Sequence, residues 1–137
     1  MVSMKQFLAL IFLVIFIIAA KIAFCADNKV IAYYFHGNAR CITCHKMEEY
    51  AKEAIEQNFP KELKEGRLVF KTVNVEEKEN EHFINKYQLY TKSLIISQIE
   101  DSKETRYKNL TKIWECVRDK KQYFGYVTNE IRDYLKE

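Results

Sequence analysis

The sequence predicts an α/β domain whose elements run β-α-β-α-β-β-α, preceded by an apolar N-terminal segment. Short runs rich in β-branched and aromatic residues alternate with stretches whose apolar residues recur at helical spacing. The length of 137 residues is sufficient for one domain. Apolar residues make up 48% and charged residues 30%, a balance that is typical of a globular chain and excludes extensive disorder. No Gly-rich phosphate-binding pattern occurs, which excludes that class of nucleotide-binding protein.

Residues 1–25 are predicted to be a targeting segment. Phe7–Ala20 is a run of 14 consecutive apolar residues that follows Lys5. A transmembrane helix needs about 20 such residues, so a short basic start followed by this run is more typical of a secretory signal. Ala23 and Cys25 place small residues at the positions that signal cleavage after residue 25 requires.

Three fates of this segment remain open. It is cleaved as a signal peptide, it stays as an N-terminal membrane anchor with Lys21 at the outer interface, or Cys25 carries a lipid. In each case residues 26–137 are exported, to the periplasm or to the outer face of the cytoplasmic membrane, where disulfides form. If the segment is retained, we expect membrane contact only through residues 7–24.

The first half of the exported part predicts two strands around a long helix. Lys29–His36 is rich in β-branched and aromatic residues and is typical of a buried strand. A helix is predicted over about Cys41–Phe59, where apolar residues recur at helical spacing and Pro60 ends the pattern. Arg67–Val75 is the second strand. We expect this first β-α-β unit to be parallel and right-handed.

The second half predicts a short helix, a pair of strands and two closing helices. The short helix covers Asn80–Leu89, and the strands cover Ser93–Ile99 and Glu104–Tyr107. The two helical stretches at the end are Leu110–Val117 and Tyr123–Leu135.

The motif Cys41-Ile-Thr-Cys44 carries the chemistry. A C-x-x-C at the start of a helix brings two sulfurs within bonding reach, and the helix N-terminus stabilises a negative charge on the first one. Arg40 adds a positive charge directly before the motif. We therefore expect Cys41 to have a lowered pKa and to attack, and Cys44, more buried, to resolve the mixed disulfide. A plain structural disulfide would gain little from so short a loop.

These residues resemble the thioredoxin superfamily. Val30–Phe35 followed by the C-x-x-C is similar to the first core strand and the redox motif of that family, and Val73–Asn80 with Lys86–Leu89 is similar to its next strand and helix. The resemblance implies a thioredoxin-like fold over residues 26–137, with a central mixed four-stranded sheet. It also implies a thiol–disulfide oxidoreductase or electron-transfer protein without a cofactor or metal, acting on a protein thiol or disulfide.

A closer resemblance is to small exported bacterial proteins of the ArsF type, also named nitrophenyl compound nitroreductase subunits. Its basis is Tyr33–His36 together with Arg40, Cys41, Thr43 and Cys44. This resemblance implies a redox role for an exported protein, and a redox partner in the membrane is a further expectation. The residues expected to support the cysteine pair are Arg40, His45, Ser93 and His36.

The sequence departs from the thioredoxin pattern at two positions beside the motif. Ser93 stands where thioredoxins carry a cis-proline, and either Tyr34 or Phe35 stands where they carry a buried acid. A cis bond without proline costs about 2.5–4 kcal/mol, so the Lys92–Ser93 bond is expected to be trans. We expect the Ser93 hydroxyl to lie near the Cys41 sulfur and the range of partner proteins to be narrow.

Two other interpretations use the same motif. The order Cys41, Cys44, His45 is the attachment pattern of a c-type haem, for which the sixth ligand would be Met47, His36 or His82. Met47 is too close to His45 in sequence to reach the opposite haem face. A Cu(I) or Zn carrier would use the sulfurs with His45 and His36 as soft ligands.

Two features outside the motif also bear on function, the net charge and Cys116. The net charge is +3, and it falls to +1 without Lys5 and Lys21, so the charge does not favour nucleic acid as a partner. Cys116 lies on an apolar helical face, where it is either a buried small side chain or an extra thiol that exchanges with the motif.

Overall fold

The structure, a computed structural model, describes residues 28–136. The segment 1–25, with its targeting pattern and Cys25, lies outside the described residues, so the domain boundary and the export stay predictions. Within residues 28–136, none of the helices has the length and apolar character needed to cross a membrane.

The described chain forms a mixed four-stranded sheet. Its strands are β1 (Lys29–His36), β2 (Leu68–Asn74), β3 (Ser93–Glu100) and β4 (Lys103–Asn109), in the spatial order β2-β1-β3-β4. Strand β2 runs parallel to β1, whereas β3 is antiparallel to both β1 and β4. This confirms the predicted sheet and its parallel first unit. Strand β4 extends beyond the predicted Glu104–Tyr107 at both ends because it pairs with nearly the whole of β3.

Five α-helices connect and cover these strands. They are α1 (Ile42–Asn58), α2 (Pro60–Lys64), α3 (His82–Tyr87), α4 (Ile113–Cys116) and α5 (Lys120–Leu135), and a 3₁₀ turn covers Lys78–Asn80. Pro60 ends the α1 pattern as predicted but also begins α2, since proline is well tolerated at a first helical position. Helix α5 begins three residues earlier than predicted because the Asp119 carboxylate caps it, accepting from the Gln122 N–H at 3.0 Å.

The two faces of the sheet carry separate cores. Alternate residues of β1 point to opposite faces, so Val30, Ala32 and Tyr34 pack on one side with α1 and α5. On the other side Phe35 packs with residues of α3 and the segment that follows it. The first core is the larger, and it also contains the buried side chains of α4.

This arrangement is a thioredoxin-like α/β fold. Two helices, α1 and α5, cover one face of the central mixed sheet, and α3 covers the other. The carboxyl end of β1, the start of α1 and the loop before β3 meet at one end of the sheet, because Phe35 is paired with Ser93. The C-x-x-C motif lies at that end.

Candidate functional site

Cys41 caps the N-terminus of α1. Its backbone is extended, with φ −88° and ψ 169°, and its sulfur accepts a hydrogen bond from the Cys44 N–H at 3.3 Å. The Cys41 carbonyl accepts from the His45 N–H at 3.1 Å, which closes the first helical turn. The Cys41 side chain is exposed to solvent. Sulfur therefore takes the capping place that an oxygen usually fills.

The pKa of Cys41 is lowered from its ordinary value. The largest cause is a hydrogen bond from the Cys44 side chain, followed by the bond from the Cys44 N–H; these outweigh desolvation, which raises the pKa. The backbone N–H of Thr43 adds to the lowering. An exposed thiol that forms a thiolate easily is the kind that attacks disulfides.

Cys44 lies one turn into α1 and is buried, with 2% of its surface exposed. Within residues 28–136, Cys41, Cys44 and Cys116 are all free thiols. The predicted contrast between an exposed first cysteine and a buried second one is confirmed.

A buried tyrosine from β1 lies beneath the motif. The Tyr34 hydroxyl donates to the Cys44 carbonyl at 2.6 Å, and Tyr34 is fully buried. Burial is the largest cause that raises the pKa of Tyr34, so the phenol remains a neutral donor. The sequence indicates Tyr34 only as one of two residues, with Phe35, that stand in place of an acid. The contact of Tyr34 with Cys44 was missed, since the two residues lie ten positions apart and on different elements.

Arg40, directly before Cys41, connects its loop to α1. It forms an ion pair with Glu48, and the other Glu48 oxygen accepts from the Thr72 hydroxyl at 3.0 Å. Arg40 was expected to lower the pKa of Cys41 through its charge. The largest causes of that lowering are instead the hydrogen bonds from Cys44. Arg40 links the loop before α1 to the helix and, through Glu48, to β2.

The loop before β3 is held by its own polar groups. Every peptide bond within the described residues is trans, which confirms the expectation for Lys92–Ser93. Ser93 is buried, and its hydroxyl donates to the Thr91 carbonyl at 2.9 Å. The Trp114 indole donates to the Lys92 carbonyl at 3.1 Å and ties α4 to this loop.

The histidines do not gather around the sulfurs. His36 is half-buried with Nδ1 2.9 Å from the Gly37 carbonyl oxygen, and His45 is exposed on α1. Among residues 28–136, no group of three or more His, Cys, Asp or Glu side chains is arranged to hold a metal ion. The ligand set of the metal interpretation is therefore not assembled.

Two of the three candidate sixth ligands of the haem interpretation, Met47 and His82, are engaged elsewhere in the fold. Met47 is fully buried in the core. His82 begins α3, whose contacts are with the other face of the sheet, and its Nδ1 lies 2.9 Å from the Glu79 carbonyl oxygen. Neither side chain is placed opposite His45.

Cavities and exposed apolar side chains occur at the same end of the sheet as the motif. A cavity of about 160 Å³ lies between the end of β1 and the loop before β3, lined in part by Gly37, Glu76 and Lys92. Two large apolar side chains here are almost fully exposed, Ile42 within the motif at 88% and Tyr90 before β3 at 92%. Such side chains are available for contact with a partner protein.

Cys116 belongs to the core rather than to this site. It is buried at the end of α4, and burial is the largest cause that raises its pKa. A thiol of this kind reacts slowly. The structure therefore favours the interpretation of Cys116 as a packed small side chain.

Comparison with known proteins finds likeness only among solved structures. No family model and no curated protein sequence matches the chain. The X-ray structure of Fasciola hepatica thioredoxin matches with a TM-score of 0.40 and 24% identity, over 66% of this chain and 79% of that one. The solution structure of a thioredoxin from Thermus thermophilus matches with a TM-score of 0.38 and 16% identity, over 66% and 72%. The fold assignment rests on the strand order and connections of the chain itself.

Proposed function

We propose that the protein is a thiol–disulfide oxidoreductase, with Cys41 as the attacking thiol and Cys44 as the resolving thiol. One observation carries the proposal. The exposed Cys41 sulfur caps α1, accepts hydrogen bonds from Cys44 and has a lowered pKa, while the Cys44 thiol is buried one turn into the helix. This arrangement provides a nucleophile that is open to solvent and a second thiol that only its neighbour can reach.

The reaction is a two-electron exchange with a disulfide. The Cys41 thiolate attacks one sulfur of the partner disulfide, a mixed disulfide forms, and the first partner thiolate leaves and takes up a proton. Cys44 then loses its proton and attacks the Cys41 sulfur, which closes the Cys41–Cys44 disulfide and releases the second partner thiol. The partner is reduced and the protein oxidised, and the same steps run backwards for a partner dithiol.

The partner is proposed to be a protein thiol or disulfide in an exported compartment. The apolar run at residues 7–20 and the resemblance to ArsF-type exported proteins support that location. A membrane redox partner fits the same location. The exposed Ile42 and Tyr90 side chains at the cysteine end of the sheet support docking of another protein there. The narrow partner range expected from Ser93 remains a prediction.

A glutathione experiment tests the two roles in the full-length chain. When reduced protein is mixed with oxidised glutathione, we expect the Cys44→Ser variant to hold a stable glutathione adduct on Cys41, because the resolving thiol is missing. The wild type should instead pass to the Cys41–Cys44 disulfide, and Cys41→Ser should form no adduct at the motif. Peptide mapping by mass spectrometry measures each species.

Cys116→Ser is the matched control, since it removes a buried thiol from the core and should behave as the wild type. Release of the adduct from Cys44→Ser as fast as from the wild type would refute the resolving role. An adduct that forms first on Cys44 would refute the attacking role of Cys41.

A further inference from the structure

Hydrogen bonds connect β1 to the first turn of α1, and a separate bond within that turn reaches the Cys41 sulfur. The Tyr34 hydroxyl donates to the Cys44 carbonyl at 2.6 Å, and the N–H of the same peptide unit, that of His45, donates to the Cys41 carbonyl at 3.1 Å. The Cys44 N–H donates to the Cys41 sulfur at 3.3 Å. The first turn of α1 is thus held from below by a strand and from within by its own peptide groups.

We propose that Tyr34 is a positioning residue for the cysteine pair. By donating its hydroxyl hydrogen to the Cys44 carbonyl, it fixes the first turn of α1 so that the N–H and thiol of Cys44 meet the Cys41 sulfur. The inference rests on the proposed function, because a positioned pair matters only if the pair exchanges disulfides. It adds a residue of β1, outside the C-x-x-C motif, that bonds to the main chain of the motif.

Three properties make Tyr34 suited to this task. It is fully buried, so water does not compete for its hydroxyl. Its raised pKa keeps it protonated while Cys41 titrates, so it gives a constant donor and no charge. Hydrogen bonds arranged in a chain polarise one another, so a donor at the Cys44 carbonyl strengthens the His45 N–H as a donor to the Cys41 carbonyl.

The chain offers a matched control in Tyr123 of α5. Its hydroxyl donates to the Met47 carbonyl at 2.8 Å, and it is also fully buried. Met47 lies on the same helix, one turn beyond Cys44 and outside the first turn. Loss of either hydroxyl removes one buried hydrogen bond to a carbonyl of α1, but only Tyr34 reaches the turn that carries the sulfurs.

Two readouts in the full-length chain separate positioning from packing. The first is the rate of Cys41 alkylation by iodoacetamide as a function of pH, mapped by mass spectrometry. The second is the equilibrium in which reduced protein and oxidised glutathione give the Cys41–Cys44 disulfide and two molecules of glutathione. Neither readout responds to a simple loss of folding stability as long as the variant is folded.

For Tyr34→Phe we expect a higher Cys41 pKa, seen as alkylation about two- to threefold slower below that pKa. With less stabilisation of the thiolate, the equilibrium should move about two- to threefold toward the disulfide. Since a tenfold change corresponds to 29.6 mV, a threefold shift is about 14 mV toward a more reducing potential. Tyr123→Phe should leave both readouts at their wild-type values.

Equal readouts for Tyr34→Phe, Tyr123→Phe and the wild type would overturn the inference and make Tyr34 a packing residue only. If the wild type forms no Cys41–Cys44 disulfide at any glutathione ratio, the proposed function fails. The rate of Cys41 alkylation in Tyr34→Phe still tests the positioning role of Tyr34. If Tyr34→Phe does not fold, an NMR titration of the wild type tests the positioning role instead. The Cys44 carbonyl carbon and the Tyr34 hydroxyl proton should shift as Cys41 titrates, and constant shifts would contradict the inference.

Discussion

The two faces of the sheet bury tyrosine hydroxyls against different acceptors. Under α1 and α5, Tyr34 and Tyr123 donate to main-chain carbonyls. On the opposite face, Tyr87 at the end of α3 donates to the Glu104 carboxylate, which also accepts from the Ser97 hydroxyl. A carbonyl accepts at any pH, whereas a carboxylate loses its charge in acid. The buried tyrosine hydroxyls on the face of the cysteine pair therefore keep the same acceptors in acid, whereas the Tyr87 hydroxyl loses a charged acceptor.

The carboxylate on the α3 face is heavily bonded. Besides the two hydroxyls, the Lys86 ammonium lies 3.2 Å from a Glu104 oxygen. Burial alone would raise the pKa of Glu104, but the hydrogen bonds from Ser97, Tyr87 and Lys86 outweigh it, and the pKa is lowered. Through Tyr87, this carboxylate of β4 holds the end of α3 on the sheet.

The largest expected effect compares the two cores by truncation. Ile131 is fully buried in the larger core, whereas Leu89 is 8% exposed in the smaller one. We expect Ile131→Ala to lower the free energy of unfolding by about 2–5 kcal/mol, and Leu89→Ala to fall at or below the lower end of that range. Urea unfolding followed by circular dichroism measures both. A larger loss for Leu89→Ala would mean that the α3 face carries the main core.

The next effect tests the acid sensitivity of the α3 face. Glu104→Gln should lower the free energy of unfolding by about 1–3 kcal/mol at pH 7, because a charged acceptor of several hydrogen bonds is lost. The pKa of Glu104 is lowered on folding, so the contribution is present above the unfolded value of about 4.3 and is lost as the pH falls through the folded-state value.

Urea unfolding of the wild type and Glu104→Gln at pH 7 and in acid is the measurement, and the difference between them should shrink in acid. Tyr123→Phe provides the contrast, since it should lower the free energy of unfolding by the same amount at both pH values. If the Glu104→Gln difference persists in acid, the carboxylate charge is not what stabilises the α3 face.

The smallest expected effect lies at the loop that joins the two faces. The Trp114 side chain is 39% exposed, and its single hydrogen bond goes to the Lys92 carbonyl. Trp114→Phe should lower the free energy of unfolding by at most about 0.5–1.5 kcal/mol. Amide hydrogen exchange should instead report a local change, faster at residues 90–93 and unchanged in α5. Uniform acceleration across the domain would show that the indole supports global stability.

Local patterns were sufficient for most of the fold. The β-branched run at Lys29–His36 and the helical spacing after Cys41 identified β1 and α1, because each signal lies within a few consecutive residues. The start of α5 was missed by three residues, since the cap at Asp119 precedes any apolar periodicity. The short α3 was predicted too long because Gln88 adopts a left-handed conformation that ends it.

The candidate site was predictable only in its sulfurs. The C-x-x-C spacing and the helix start indicated that Cys44 is more buried than Cys41, which the structure bears out. The contact of Tyr123 with the carbonyl of Met47 spans 76 positions of sequence, and no periodicity encodes it. The ion pair between Arg40 and Glu48 was not predicted, because nothing before the fold reveals that Glu48 comes within reach of Arg40.

The hydrogen bond between the Trp114 indole and the Lys92 carbonyl gives the protein an internal optical reporter. The chain contains one tryptophan, so all tryptophan fluorescence arises from this place beside the loop before β3. The emission of an indole moves to longer wavelength when it is released into water. A partner that displaces the loop and releases the indole would therefore move the emission to longer wavelength. A partner that covers the half-exposed ring would move it to shorter wavelength. Docking at the cysteine end can thus be followed in unlabelled protein.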